Sequence, residues 1–142
     1  MPQPAPAASV LPLPLPVDPA QRLVLVAIRR MAAGGIRDAH AASLFLRTFG
    51  LHFRKPLVLM RAFMVETARA SAGTIRVAPC CAHRMTLDEA RMVGIVACAT
   101  SNPANAADHL RALTGSRDIG APLSAAAALG DALAECGLPL AL

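Results

Sequence analysis

The amino-acid sequence predicts an all-α, single-domain bundle of five or six helices that follows a Pro-rich leader. Hydrophobic residues make up 55% of the 142 residues, yet Trp and Tyr are absent and only four residues are Phe. The aromatic residues that strands favour are therefore scarce, while alanine, the strongest helix former, is abundant. Helix-start and helix-stop residues also recur along the chain and divide it into segments of helical length.

The leader is predicted from its prolines. Residues 1–17 contain six of the twelve prolines of the chain, including the run Leu-Pro-Leu-Pro-Leu-Pro at positions 11–16. Proline has no backbone N–H to donate in a helix or a sheet, so we expect a disordered or polyproline-II segment. The helical domain would then cover residues 18–142.

The first helix is predicted over residues 19–33. Asp18 followed by Pro19 is an N-cap followed by proline at the first helical position, and Gly34 supplies the stop. An amphipathic helix buries one stripe of side chains. The residues expected to face the core are Leu23, Val24, Val26, Ala27 and Met31, and those expected in solvent are Arg22, Arg29 and Arg30.

Two further helices form the middle of the predicted bundle. Asp38 caps a second helix that runs to Phe49 and ends at Gly50. Pro56 opens a third helix that runs to about residue 71 and is apolar around most of its circumference. Such a helix is typical of the centre of a bundle.

The remaining elements are predicted from capping residues. We expect a fourth helix from Leu87 to about Ala99, a fifth from Pro103 to about residue 114, and a sixth over residues 122–136. Residues 74–78 could be extended, but they have no obvious partner strand and are interpreted as a connection.

The residues most suited to a reactive or metal-binding site, two thiols and an imidazole, precede the fourth helix. Pro79 disfavours helix at the residue before it, so Cys80 and Cys81 are expected in a loop. Thr86 and Glu89 have the spacing of a capping box, which predicts that this loop ends at a helix N-terminus. The two thiols would therefore lie just before the positive end of a helix dipole.

Neighbouring side chains add to that expectation. The helix dipole, Arg76, Arg84 and His83 would all favour a thiolate over a thiol if they point toward the sulfur atoms. Redox sensing would need only such activation and access to an oxidant. The alternative without chemistry is that the cysteines are small hydrophobic residues packed under the loop, and this is preferred for Cys98 and Cys136.

A metal site is the sharpest of the alternatives. Cys80, Cys81 and His83 offer donors suited to zinc or an iron-containing centre, but adjacent cysteines do not form the C-x-x-C knuckle. A fourth ligand would have to come from His52 or Cys136. Cys98 would lie roughly 17 Å away along its helix, at about 1.5 Å per residue.

The sequence does not favour an enzyme. Covalent catalysis would use Cys81 as the nucleophile and His83 as the base. However, no orienting carboxylate or oxyanion hole can be assigned from the sequence. The sequence contains none of the G-x-G-x-x-G, P-loop, H-E-x-x-H or G-x-S-x-G motifs. These absences argue against nucleotide-binding, zinc-protease and α/β-hydrolase functions.

The charge distribution bears on the choice of partner. Twelve of the fourteen basic residues, but only four of the nine acidic ones, lie in residues 21–91. A basic half of this kind suggests an anionic partner or a solvated cationic face. The second and third helices superficially resemble a helix-turn-helix, but an apolar start of the third helix is unsuited to a DNA groove. Nucleic acid is therefore disfavoured, and a protein partner is expected.

The compartment is predicted from what the sequence lacks. The four cysteines do not have the spacing of a disulfide framework, and the N-terminus has no basic region followed by an apolar core. The apolar runs are too short to span a bilayer. We therefore expect a cytoplasmic protein without membrane attachment.

Five stretches resemble a small family of uncharacterised bacterial proteins known only as a domain of unknown function. They are RRM at 29–31, DAHAA at 38–42, FRKPLVL at 53–59, APCC at 78–81 and RMT at 84–86. The resemblance covers about residues 19–136 and implies a bacterial cytoplasmic protein, with no activity attached. Members of that family often carry a third cysteine where this chain has Ala82, which weakens a three-thiolate site here.

Together these observations predict a small regulatory or binding module. Its loop, Cys80-Cys81-Ala82-His83, would sense redox state or hold a metal such as zinc. The alternative is a helical adaptor that binds protein or nucleic acid without chemistry of its own.

Overall fold

The computed structural model describes residues 13–141. Six α-helices, one 3₁₀ helix and one pair of short strands occur in this range. The α-helices are α1 (Pro19–Gly34), α2 (Ala39–Phe49), α3 (Arg54–Ala70), α4 (Leu87–Cys98), α5 (Pro103–Thr114) and α6 (Gly120–Glu135). The 3₁₀ helix is Gly50–His52, and the strands are β1 (Leu13–Pro14) and β2 (Arg84–Met85). The predicted all-α fold is confirmed.

Helix starts follow the predicted capping chemistry. The carboxylate of Asp18 accepts the backbone N–H of Gln21 at 3.0 Å, and that of Asp38 accepts the N–H of Ala41 at 2.9 Å. Each bond satisfies an N–H group that has no partner inside its helix. Two helices start two residues earlier than predicted. The helix α3 begins at Arg54 and α6 begins at Gly120.

The core is arranged around α3, as the sequence predicted. This helix packs against α1, α2, α5 and α6, and its Met60 and Phe63 are fully buried. Phe45 of α2 is also fully buried and lies against Phe49, with the ring centroids 5.8 Å apart. The helix α4 packs on α1, α5 and α6, so the loop that precedes α4 lies close to α1.

The end of the Pro-rich leader differs from the expectation. Leu13–Pro14 pairs antiparallel with Arg84–Met85, and Leu13 lies opposite Met85. Leu13 and Leu15 pack against the core. Proline is tolerated at a sheet edge, where its missing N–H need not join the ladder. Burial of the alternating leucines thus orders this part of the leader, while the prediction for residues 1–12 lies outside the described residues.

The sequence predicted which side chains of α1 are buried correctly for most positions and wrongly for Val26 and Arg29. Val26 is 41% exposed, whereas Arg29, which was expected in solvent, is only 4% exposed. Hydrophobic periodicity assigns an arginine to the outer face because an isolated guanidinium is costly to bury. The partner that allows Arg29 to be buried lies sixty residues further along the chain.

No helix within residues 13–141 combines the length and the apolar character needed to cross a bilayer.

Two glycines within helices allow a test of the packing between α4 and α6. A methyl group on Gly94 would meet no atom within 4 Å, whereas one on Gly130 would lie 3.1 Å from the carbonyl oxygen of Val96. We expect Gly94→Ala to raise the free energy of unfolding by up to about 1 kcal/mol, the helix-propensity difference between the two residues. We expect Gly130→Ala to gain less or to lose stability, because α4 and α6 would have to move apart. Denaturant unfolding measures both, and equal gains would contradict the close approach.

Candidate functional site: the Cys80 and Cys81 turn

The two adjacent cysteines occupy the corner of a tight turn. The backbone N–H of Ala82 donates to the carbonyl oxygen of Pro79 at 3.1 Å, so Cys80 and Cys81 are the two central residues of a four-residue turn. Both are exposed and neither forms a disulfide. The alternative in which these thiols are packed under the loop as small hydrophobic residues is therefore wrong for both.

A buried ion pair lies beneath this turn. Arg29 of α1 and Glu89 of α4 meet through two parallel bonds, from Nε to Oε2 at 2.7 Å and from Nη2 to Oε1 at 3.1 Å. Their side chains are 3% and 0% exposed. A planar guanidinium matches a carboxylate in this two-bond geometry, which fixes both direction and distance. We refer to this contact as the Arg29/Glu89 pair.

The carboxylate of Glu89 also holds backbone on both sides of the turn. Its Oε2 accepts the N–H of Ala78 at 3.2 Å, and its Oε1 accepts the N–H of Thr86 at 2.8 Å. With the two bonds from Arg29, the carboxylate therefore accepts four hydrogen bonds. A buried carboxylate needs such partners, since an ion left without them in the interior is strongly destabilising.

The guanidinium of Arg29 holds the carbonyl groups of the same loop. Its Nη1 donates to the carbonyl oxygen of Ala82 at 2.9 Å, and its Nη2 donates to that of Arg84 at 2.8 Å. One arginine from α1 therefore contacts the loop at two points after the cysteines, while Glu89 contacts it before them, at Ala78. The exposed turn is fastened at both of its ends to one buried pair.

The predicted capping box is confirmed and is part of the same network. Thr86 accepts the N–H of Glu89 on its hydroxyl at 3.0 Å, and that hydroxyl donates to the carbonyl oxygen of Arg76 at 2.7 Å. The N–H of Arg76 in turn donates to the carboxylate of Asp88 at 2.8 Å. The N-terminus of α4 thus holds the segment that leads into the cysteine turn.

The other predicted site residues lie around the turn. His83 is exposed, as are Arg76 and Arg84. Within residues 13–141, no group of three or more His, Cys, Asp or Glu side chains is arranged to hold a metal ion. Cys80, Cys81 and His83 therefore do not form such a group in the described part of the chain.

The two remaining cysteines differ from the pair in the turn. Cys98 is buried, as predicted, and burial raises the pKa of its thiol. Cys136 is half-buried, with its sulfur 4.0 Å from the carbonyl oxygen of His52. Access to reagents should therefore separate Cys80 and Cys81 from the other two thiols.

Arg29 is the residue that sequence reasoning missed. Glu89 was assigned to the capping box, and nothing in that local pattern required a second partner for its carboxylate. The available signal was weak: Arg29 follows the apolar Leu25 by four residues, so the two share one face of α1. Only the approach of α1 to α4 shows that this face is buried.

Comparison with known proteins gives a family match. A protein-family model described as a family of unknown function, DUF6628, matches residues 5–139, almost the whole chain. No curated protein and no solved structure matches the sequence.

The Arg29/Glu89 pair makes a testable contribution to stability. We expect Arg29→Met and Glu89→Gln each to lower the free energy of unfolding by about 3–5 kcal/mol, because each leaves a buried charge without its partner. The double variant should lose less than the sum of the two, since both charges are then absent. Denaturant unfolding of the four proteins measures this coupling.

The exposed pair of Lys55 and Glu135 is the matched control. Its N–O distance is 2.9 Å, but its side chains are 64% and 61% exposed. Lys55→Met and Glu135→Gln should cause no measurable loss, because solvent screens such contacts. Additive effects at Arg29 and Glu89, or losses as small as those of the control, would contradict the proposed role of the buried pair.

Proposed function

The chain belongs to this family of unknown function, and from its geometry we propose that it is a small regulatory module that responds to thiol oxidation at Cys80 and Cys81. The observation that carries the proposal is the combination of exposure and attachment. The two thiols face solvent at the corner of a turn, and the backbone on both sides of that turn is bound to the buried Arg29/Glu89 pair.

Exposure supplies the first requirement of a thiol sensor, which is access. An oxidant reaches a cysteine only if the sulfur can be approached from solvent. Cys80 and Cys81 both meet this requirement, since both are exposed. Cys98 does not meet it, because it is buried on the last turn of α4.

The reaction we propose is exchange with a low-molecular-weight disulfide, RSSR. The cysteine sulfur, as a thiolate, attacks one sulfur of RSSR; a new S–S bond forms as the old one breaks, and RS⁻ leaves and takes up a proton. The balance is Cys–SH + RSSR → Cys–S–SR + RSH, in which the cysteine sulfur is oxidised and the departing sulfur is reduced. A reducing thiol reverses the step.

Attachment supplies the second requirement, a structural response. A bulky group on Cys80 or Cys81 changes the turn, and the bonds nearest to it are those from Ala78 to Glu89 and from Arg29 to Ala82. These bonds help to satisfy buried charges, so a shift of the turn leaves Arg29 and Glu89 with fewer hydrogen bonds in the interior, which is unfavourable. The oxidation state of an exposed sulfur is thereby transmitted to the contact between α1 and α4.

The proposal includes a compartment and a partner. All four cysteines are free, as expected in a reducing cytoplasm where a mixed disulfide forms only under oxidative conditions. We propose a protein partner that distinguishes the two states of residues 76–86. A zinc ion on Cys80, Cys81 and His83 would need at least one further ligand, and the proposed response to oxidation does not depend on it.

The rates of thiol modification test the first requirement. With an aromatic disulfide reagent at neutral pH, we expect the native protein to react first at Cys80 and Cys81, more slowly at Cys136, and at Cys98 only after unfolding. Peptide mass spectrometry after timed quenching identifies each site. Fast reaction at Cys98, or slow reaction at both turn cysteines, would contradict the assignment.

Amide exchange tests the second requirement. After treatment with glutathione disulfide, the N–H groups of Ala78 and Thr86, both bound to Glu89, should exchange several-fold faster with solvent, as measured by NMR. The Cys80→Ser/Cys81→Ser variant should form no adduct at the turn and show no change. Cys136→Ser serves as the control that keeps both turn thiols and should behave like the original protein.

The response also has a clear negative outcome. If the adduct forms and the Ala78 and Thr86 amides exchange at their original rates, the turn accepts the modification without altering the Arg29/Glu89 pair. The module would then lack a transmitted response, and the proposed function would be wrong.

A second candidate function is a protein-binding adaptor without thiol chemistry. The observation that favours it is the exposure of Leu51, which is 94% exposed in the 3₁₀ helix between α2 and α3. Partner binding that survives Cys80→Ser/Cys81→Ser and is lost in Leu51→Ser would favour the adaptor. The reverse pattern would favour the thiol module.

A further inference from the structure

The middle of the cysteine turn is held less firmly than its ends. The bonds from the loop to the Arg29/Glu89 pair are all made by backbone on either side of the two cysteines. Within residues 13–141, no hydrogen bond involves the sulfur of Cys80 or Cys81, or the peptide group that joins them. Four-residue turns of different types share the closing bond and differ in the orientation of this central peptide group. The peptide group can therefore rotate while the bond that closes the turn is kept.

The spacing of the two thiols decides what kind of disulfide they would form. The α-carbons of adjacent residues are about 3.8 Å apart across a trans peptide, closer than the usual separation of about 4.4–6.8 Å in disulfides. A bond between Cys80 and Cys81 would therefore close a small, strained ring that contains their own peptide group. Strained and exposed disulfides are easily reduced, and labile disulfides of this kind are the regulatory ones.

We propose that the lasting product of oxidation at the turn is a disulfide between Cys80 and Cys81, because both sulfurs are exposed and the peptide group between them is unbonded. This inference rests on the proposed function, whose exchange with RSSR supplies the first step. It adds the second step, in which the other cysteine of the pair resolves the mixed disulfide. We refer to the product as the Cys80–Cys81 ring.

The second step is an intramolecular exchange. The remaining cysteine loses its proton and attacks the cysteine sulfur of the mixed disulfide; the new S–S bond forms as the bond to SR breaks, and RS⁻ leaves and takes up a proton. The balance is Cys–S–SR + Cys–SH → Cys–S–S–Cys + RSH. Over both steps two cysteine thiols are oxidised, and one RSSR is reduced to two RSH.

The other thiols of the chain compete poorly for the mixed disulfide. Cys98 is buried, and Cys136 is half-buried with its sulfur against the backbone of His52. A thiol attached through a short connection acts at an effective concentration of about a millimolar or more. A second protein molecule competes only at its bulk concentration. The adjacent cysteine is therefore the favoured attacking group.

The ring is compatible with the response proposed for the mixed disulfide. Closing it rotates the central peptide group and draws the two sulfurs together, inside a turn whose ends are bonded to Glu89 and Arg29. The turn is altered without a bulky group remaining on it. A reducing thiol then opens the strained ring and restores both free cysteines.

Peptide mass spectrometry of the full-length protein tests the ring. After treatment with glutathione disulfide at neutral pH, acid quenching and alkylation of the remaining thiols, trypsin cleaves at Arg76 and Arg84 and releases both cysteines in one peptide, residues 77–84. From the original protein this peptide should be lighter by two hydrogen atoms and carry no glutathione. From Cys80→Ser and from Cys81→Ser it should carry one glutathionyl group.

The amounts give a quantitative form of the same test. The glutathione adduct on residues 77–84 of the original protein should reach about a tenth or less of its level in the single variants, because the neighbouring thiol removes it. Cys136→Ser is the matched control, since it also loses one thiol but keeps both turn cysteines. It should form the ring as the original protein does.

One molar equivalent of an aromatic disulfide reagent provides a second readout. In the Cys136→Ser protein, ring closure releases both aromatic thiols of the reagent, whereas a stable mixed disulfide releases one and keeps the other bound. Absorbance of the released thiol measures the ratio. Adding Cys80→Ser or Cys81→Ser to this protein should halve the release.

The outcomes separate this inference from the proposed function. A stable glutathione adduct on the original protein, or release of one aromatic thiol per reagent, would overturn the ring and leave the proposed function in place. A covalent dimer joined through the turn would also overturn the ring, because the resolving thiol would then belong to a second molecule. No reaction at the turn in the original protein or in either single variant would contradict the proposed function itself, and the ring with it.

Discussion

The Arg29/Glu89 pair is the contact on which the rest of the site depends, because it joins α1, α4 and the loop between α3 and α4 at one buried point. A guanidinium and a carboxylate are costly to remove from water, and their mutual attraction offsets that cost only if their remaining hydrogen-bonding positions are also occupied. Here the backbone of the loop occupies them, at Ala78, Ala82, Arg84 and Thr86. The loop is thereby held in one conformation at the cysteine turn.

This constraint explains how an exposed pair of cysteines can lie on a defined turn. Exposed loops are usually the most mobile parts of a domain, since few buried contacts restrict them. The turn at Cys80 and Cys81 is short and both of its ends are bonded to buried charges. Its position is therefore coupled to the packing of α1 on α4, which is what a sensor of thiol chemistry requires.

The segment before the turn contacts two parts of the molecule. Ile75 and Val77 line an apolar cavity between the ends of α1 and α3, while the N–H of Ala78 binds Glu89. Arg76, between them, is bound through its backbone to Asp88 and Thr86 at the start of α4. This short stretch thus contributes a wall to the apolar cavity and an anchor to the cysteine turn.

The sequence by itself determined the helices and their ends, because capping is local chemistry. Asp18, Asp38 and Thr86 each bind an N–H group three residues ahead, a relation that is visible in the order of residues. Exposure of Cys80 and Cys81 could not be predicted in the same way. The loop sequence was equally compatible with buried and with exposed cysteines. Only the tertiary structure decided that Arg29 is buried and that Leu13–Pro14 pairs with Arg84–Met85. Both features depend on residues that helix packing brings close together from distant parts of the chain. The free energy of burying a polar group is set by such partners, and neighbouring residues in the sequence do not reveal them.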